Sequence, residues 1–285
     1  MPRRRKERMR VTRVQGLGAE RVTRTVFDEL IVEEPMTIQL DGAVVSTTMR
    51  TPGHDFELAA GFCFSEGLIG ETGIAGVRYC ASGSAVDTEF NVVTVETGGR
   101  APVPTARLGT VSSSCGWCGS EQLDAMCDRL EPLPPNDPFD LDVLASLPQR
   151  MSTTQGLFAA TGAVHAAAAF DRSGEVLVIR EDVGRHNAVD KVVGSMLLGG
   201  TGALPATELG LFVSGRASIE MVQKAWAAGF STLVAVSAPT ALAVDAARRA
   251  GMVLAGFVRD DGFNVYAPER ISRGGSGRAG TRTDP

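Results

Sequence analysis

Two thiols three positions apart, Cys115 and Cys118 in Cys115-Gly116-Trp117-Cys118-Gly119, stand inside the polar stretch VSSSCGWCGS. A C-x-x-C pair on a Gly-rich loop has three chemical uses: thiol-disulfide exchange, half of a zinc site, or carriage of sulfur as a persulfide. Spacing alone does not choose among them. The zinc use needs two further ligands, and although Cys63, Cys80 and three histidines exist, none forms a second paired motif. Exchange of the thioredoxin type wants the pair at a helix N-terminus directly after a strand, and this loop is longer and looser than such a turn. A persulfide carrier needs one thiolate that reaches two partners in succession, which calls for the exposure and freedom that Gly116 and Gly119 supply. Two incidental free thiols in a loop are a liability that sequences avoid.

Other chemistry-bearing residues lie in the second half. Ser214-Gly215-Arg216-Ala217-Ser218 and Ser237-Ala238-Pro239-Thr240 each follow an apolar run and open a helical pattern. Free N–H groups at helix starts, with hydroxyls and an Arg nearby, suit a phosphate, although ordinary Ser/Thr capping explains either turn alone. The run REDVGRHNAVDK, Arg180 to Lys191, crowds titratable groups at a strand-to-helix junction and also reads as a solvated ion-pair cluster. His165, in a small-residue strand, reads as a satisfied core histidine. The segment FVRDDGFNVY, Phe257 to Tyr266, mixes aromatics with Arg259 and Asp261 where a base or pterin ring could stack.

The elements that must position these residues differ between the halves. Val22 to Met49 is rich in Val, Thr and Ile around the turn Asp41-Gly42 and reads as a β-hairpin. A helix with Asp55 as its cap follows, Cys63 on its buried face, and then an extended run from Phe90 to Val95. After the cysteine loop, a short helix capped by Ser120 places Cys127 among buried apolar residues, and EPLPPNDP, Glu131 to Pro138, reads as a linker. From Ala163 onward strands alternate with helices, which predicts a layered α/β domain with a mostly parallel sheet and helices on both faces. The expected organisation is a disordered basic tail (1–15), a β-rich subdomain ending in the CGWCG loop and a short helix (16–137), the α/β domain (138–268) and a disordered tail (269–285).

Length and composition bound the function. A chain of 285 residues that is 44% hydrophobic buries one large core or two smaller ones. A net charge of -5 lacks the basic footprint of a nucleic-acid binder. Six of the first ten side chains are basic, but no apolar h-region follows, and LFAATGAVHAAAAF is too short to span a bilayer. A cytoplasmic protein with reduced thiols, no membrane contact and no structural metal is the expectation.

CGWCG, TTQGLFAATGAVHAAA, REDVGRHNAVDKVVG, VSGRASIEMVQKAWAAG, VSAPTALAV and GFVRDDGFNVYA occur in the order seen in the formate dehydrogenase accessory sulfurtransferase family, FdhD, which the chain resembles from about Glu33 to Tyr266. The resemblance implies a sulfurtransferase. A cysteine desulfurase donates sulfur, Cys115 holds it as a persulfide with Cys118 assisting or acting as a second sulfur site, and the acceptor is the bis-molybdopterin guanine dinucleotide molybdenum cofactor, destined for the formate dehydrogenase apoenzyme. It further implies a cytidine-deaminase-like fold, a homodimer, and cofactor contacts at Phe257, Val258, Arg259, Asp260, Asp261 and Gly262, which agree with the phosphate sites read at Ser214 and Arg216. The H-x-E and P-C-x-x-C zinc signature of the deaminases is missing, because His186 is followed by Asn187-Ala188 and no Pro precedes CGWCG. Deamination is not expected.

Overall fold

A computed structural model of the chain describes residues 3–80, 85, 86, 88–102, 124, 129–135, 137, 139–199, 201–259 and 261–267. The CGWCG loop, most of the short helix expected after it, Asp260 and the C-terminal tail lie outside the described residues.

The disordered tail expected over residues 1–15 is corrected for its described part, residues 3–15, which is ordered. Strand β1 (Lys6–Gln15) pairs along its whole length with β2 (Val22–Ile31) in an antiparallel hairpin. The basic residues at its start are anchored: Arg3 reaches Glu34 (2.9 Å) and Asn91 (2.7 Å), and Lys6 reaches Glu29 (2.5 Å).

The hairpin expected over Val22 to Met49 forms only in its second part, as β3 (Glu34–Leu40) and β4 (Ala43–Arg50) with Asp41 and Gly42 in its turn at positive φ, because Val22–Ile31 is taken up by β1. With β5 (Gly76–Tyr79) and β6 (Val92–Glu96) it makes a four-stranded sheet in the order β4-β3-β6-β5. Met36, Ile38, Leu40, Val93 and Val95 turn one face of this sheet onto helix α1 (Asp55–Ser65). Cys63 sits on the covered side of α1, as its spacing predicts. Burial, reinforced by the charge of Asp190, pushes its thiol up to about 12, so it is packing and not a nucleophile.

The larger layer is a six-stranded sheet in the order β12-β11-β10-β9-β7-β8. Its strands are β7 (His165–Phe170), β8 (Val176–Asp182), β9 (Gly210–Val213), β10 (Thr232–Ala235), β11 (Val253–Arg259) and β12 (Gly262–Ala267). The expectation of a mostly parallel sheet is corrected: only β9-β10 and β10-β11 are parallel, whereas β7-β8, β7-β9 and β11-β12 are antiparallel. Short turns such as Asp171–Gly174 reverse the chain at once, and a short turn can only join antiparallel neighbours.

Helices α4 (Arg185–Leu197), α5 (Ile219–Ala227) and α6 (Ala241–Ala250) supply the core on one face of this sheet. The other face is covered by α2 (Leu141–Ser152) through Leu144, Leu147 and Met151, with α3 (Gly156–Thr161) beyond it. The fold is mixed α/β. Among the described residues, no helix is long and apolar enough to cross a membrane.

What joins the two layers is the contact of α1 with α4. A Cβ on Gly61 would fall inside the Asp190 carbonyl, and one on Gly194 inside the Glu57 carbonyl, so the two backbones touch where both residues lack side chains. Buried ion pairs frame this contact. Arg50 grips Asp55 through Nε and Nη2 (both 3.1 Å); Lys191 pairs with Asp182 (2.6 Å), and Lys224 with Asp190 (2.9 Å) and Glu66 (3.1 Å). Gly61→Ala or Gly194→Ala should each cost about 3 kcal/mol or more, because backbone on both sides has nowhere to move. Urea denaturation measures this, and a loss under about 1 kcal/mol would mean the helices can part freely.

Candidate functional site

The carboxyl ends of β9, β10 and β11 lie side by side, and the turns that leave them are bonded to one another. Ser237 N–H donates to the Gly215 carbonyl (3.3 Å), Ala217 N–H to Ala238 (3.2 Å), Thr240 N–H to Ala217 (3.0 Å) and Phe257 N–H to Ser237 (3.2 Å). Ser214-to-Ser218, Ser237-to-Thr240 and Phe257-to-Arg259 therefore form one continuous rim. Because β7 runs antiparallel and β8 antiparallel again, His165 at the start of β7 and Asp182-to-His186 at the end of β8 join the same rim. Helices α4, α5 and α6 all begin there, with their positive ends toward it.

The residues expected to bind a ligand are thus brought together, but they do not all offer side chains. Arg216 is exposed. The Ser214 hydroxyl is taken by the Ala166 N–H (2.9 Å), which ties β7 to the turn. Phe257 holds φ +55, a strained setting for an aromatic residue, with its ring 46% exposed. Val258 turns into the core against the α2 side, leaving only its backbone for a ligand. Arg259 donates to the carbonyls of Val236 (2.7 Å) and Val258 (3.1 Å), which fixes the β11 end against the neighbouring turn. Asp261 and Gly262 are exposed. Thr240 does what plain capping predicts, accepting from Ala243 N–H (3.2 Å), whereas Ser218 makes no such bond.

Beside this rim opens a cavity of about 530 Å³ lined by Phe158, His165, Phe212, Ser214 and Val236. Its volume falls in the range of small-ligand sites, and its apolar walls suit a flat heteroaromatic ring. Glu181 closes the start of α3 by accepting from Leu157 N–H (3.0 Å) and Phe158 N–H (2.8 Å), which holds the Phe158 wall in place.

The polar run at the β8–α4 junction is not a solvated cluster. Asp182, Asn187, Asp190 and Lys191 are buried. Asp182 accepts from Thr51 N–H (3.2 Å), Gly184 N–H (2.8 Å) and Asn187 Nδ2 (3.0 Å), besides pairing with Lys191, so one carboxylate ties the end of β4 to the start of α4. Next to it, geometry brings together residues that the sequence reading left in separate segments. The His165 ring lies 3.4 Å and the Arg185 side chain 3.9 Å from where a Cβ on Gly215 would stand. Arg185 Nε and His186 Nε2 are buried without hydrogen-bond partners among the described residues.

Burial, then the nearby charges of Lys224 and Arg185, pull His186 down to about 4. His165 is lowered in the same way by burial and Arg185. Burial works to raise the Glu220 carboxyl, but Ser218, its own N–H, His186 and Arg185 outweigh it and hold the group below the usual range. The rim therefore presents neutral imidazoles beside fixed cations. Among the described residues, no three His, Cys, Asp or Glu side chains are grouped to hold a metal ion.

A family model described as the FdhD/NarQ family matches residues 31–272. The chain is 46% identical over 273 residues to the sulfur carrier protein FdhD of Streptomyces avermitilis, covering 92% of this chain and 94% of that one. It is 45% identical over 280 residues to the protein of the same name from Nocardia farcinica, covering 97% of each. The crystal structure of a protein described as a formate dehydrogenase accessory protein from Desulfotalea psychrophila superposes with a TM-score of 0.73 at 25% identity, covering 93% of this chain and 99% of that chain.

The lowered value of His186 has a pH signature. Folding favours its neutral form, so this contribution is complete above about pH 6.5, is lost as pH falls through about 4, and amounts to about 3 kcal/mol at most. His186→Gln should flatten the fall in stability between pH 7 and pH 5 relative to the unaltered chain, measured by urea unfolding at each pH. Parallel profiles would show that His186 is not held neutral.

Proposed function

The chain belongs to the FdhD/NarQ family, and from that membership we propose that it is a cytoplasmic sulfurtransferase that carries sulfur on Cys115 to a molybdenum cofactor. The Cys115 thiolate attacks the outer sulfur of a cysteine desulfurase persulfide; the S–S bond there breaks, the donor leaves as a thiolate, and Cys115 holds the sulfur as a persulfide. Cys118, three residues on, is the second thiol. In this reading it assists the transfer or serves as a second sulfur site, and the acceptor's attack on the outer sulfur returns Cys115 as a thiolate.

The acceptor in this reading is the bis-molybdopterin guanine dinucleotide cofactor, bound as substrate and passed on to a formate dehydrogenase apoenzyme. What supports the binding half is the rim. Three helix starts, the exposed guanidinium of Arg216 and the strained, exposed ring of Phe257 stand along one edge, next to a cavity wide enough for a fused ring. The pyrophosphates fit the helix starts and a pterin or guanine ring fits the cavity. Two copies of the chain act together in this reading.

The observation that carries the sulfur half is the paired thiol of CGWCG in a chain 46% identical to a named sulfur carrier. Incubation with a desulfurase and cysteine should add the mass of one sulfur to Cys115, and Cys115→Ala should take up none. Full uptake by Cys115→Ala would overturn the assignment and leave a cofactor chaperone in its place. Arg216→Ala should weaken binding of a guanine nucleotide about tenfold, read by calorimetry, while unchanged affinity would move the phosphates off this rim.

A further inference from the structure

The stretch Glu131 to Pro138, whose composition reads as a linker, is held down along its described residues. The Trp226 indole, buried near the end of α5, donates through Nε1 to the Glu131 carbonyl (2.7 Å), and Leu133 N–H donates to the Ala250 carbonyl at the end of α6 (2.9 Å). Leu133 lies in the core beneath these helices, and Leu130 packs against it. Arg172 then donates to the Asp137 carbonyl (2.8 Å), and Phe139 enters the core on the opposite face of the sheet. A linker that only joins two parts needs none of these contacts.

The chain is fixed on the other side of the thiols as well. Thr97 N–H donates to Asp41 (2.7 Å), Ala101 N–H donates to the Thr97 hydroxyl (2.9 Å), and Ala101 packs on the core of the four-stranded sheet. The segment that carries Cys115 and Cys118 therefore leaves from the β-rich layer and returns to the α/β layer. Its return point is close to the rim. Helix α5 begins on the rim at Ile219 and holds Glu131 through Trp226, which stands seven residues, or about 10 Å, further along the axis. Cys115 stands sixteen residues before Glu131, a span of about 55 Å at full extension. A root much nearer to a target than the reach of its chain is the condition in which a tether raises the effective concentration of what it carries.

We propose that Trp226 is a positioning residue for sulfur delivery: its bond to Glu131 fixes the downstream end of the thiol segment at a short, set distance from the cofactor rim. This rests on the carrier reading above and divides its two steps. Uptake from a desulfurase is an encounter between two proteins and depends on access to Cys115, not on where its segment is rooted. Delivery to a ligand on the rim depends on the root, because chain length and anchor point set how often the sulfur meets its acceptor. Asp124 pairs with Arg249 (2.7 Å) between the thiols and Glu131, but that pair is exposed and holds less than a buried indole bond.

Two variants test the division. Trp226→Phe keeps an aromatic ring in the core and removes the N–H, whereas a sixteen-residue Gly/Ser insert after Gln122 leaves Trp226 in place and doubles the tether. In both, uptake of sulfur on Cys115 from a desulfurase and cysteine should stay within about twofold of the unaltered chain. Discharge of the loaded persulfide by cyanide, which takes the outer sulfur as thiocyanate and leaves the Cys115 thiolate, should be equally unaffected. Formate dehydrogenase activity in cells that depend on the variant should fall about fivefold for Trp226→Phe and about threefold for the insert, as the −3/2 power of tether length requires. Full activity in either variant would overturn the positioning role, and so would a parallel loss of uptake, cyanide discharge and activity. Because the insert leaves the core untouched, it decides the matter even where Trp226→Phe fails to fold. An unaltered chain that gains no sulfur would instead sink the carrier reading itself.

Discussion

Two glycines let the backbones of α1 and α4 touch, and most of the molecule's geometry follows from that contact. With Gly61 against the Asp190 carbonyl and Gly194 against the Glu57 carbonyl, the helices come too close for any side chain between them. The charges around the contact are correspondingly dry. Arg50 with Asp55, Lys191 with Asp182 and Lys224 with Asp190 are all buried pairs, and removing one partner of such a pair leaves an uncompensated charge that costs about 3–5 kcal/mol. A packing that leaves them out of register strands those charges and is disfavoured by that amount. The network specifies how the β-rich layer meets the α/β layer, and so where the end of β4 holds the start of α4 through Asp182.

That placement matters because α4 begins on the rim where α5 and α6 also begin. The rim is built of backbone. Its turns bond to one another, the Ser214 hydroxyl serves β7, and Arg259 is committed to two carbonyls. What faces outward is a short set: Arg216, the Phe257 ring, Asp261 with Gly262, and the cavity beside Phe158 and His165. A rigid edge of helix starts suits a ligand with several phosphates, and it contrasts with the Gly-flanked cysteines, whose composition suits reach.

The fold was legible where the pattern was local. Apolar runs of four or five residues alternating with Ala-rich helical stretches identify β9 through β11 correctly, and Asp41-Gly42 marks its hairpin. The helix Leu141–Ser152 went unread because Pro148 lies inside it and a Pro-rich segment precedes it. β1 went unread because it has no period-two alternation: Arg and Lys fill six of the first ten positions, and long basic side chains are tolerated on a strand open on both faces. Strand direction was misjudged for the sheet as a whole because periodicity gives spacing without sense.

At the site, Ser214, Arg216, Phe257 and Arg259 were found from turn chemistry and do lie on one rim, while the side chains of Ser214 and Val258 turned out to be engaged elsewhere. Glu220 was not singled out, and Arg185 and His186 were read only as members of the crowded Arg180-to-Lys191 run, because nothing in their own neighbourhoods distinguishes a buried cluster from a solvated one. Gly61 and Gly194 were invisible for the same reason. A glycine's meaning here lies in a carbonyl more than a hundred residues away.

Native-state hydrogen exchange across α1 and α4 tests the central coupling most directly. If the two layers are one cooperative unit, amides of Ala59–Phe62 and of Val189–Ser195 open only with global unfolding, with the same free energy and the same denaturant dependence. An α1 and four-stranded sheet that exchange earlier, at a distinctly lower free energy than α4, would contradict it and make the β-rich layer a separately opening part.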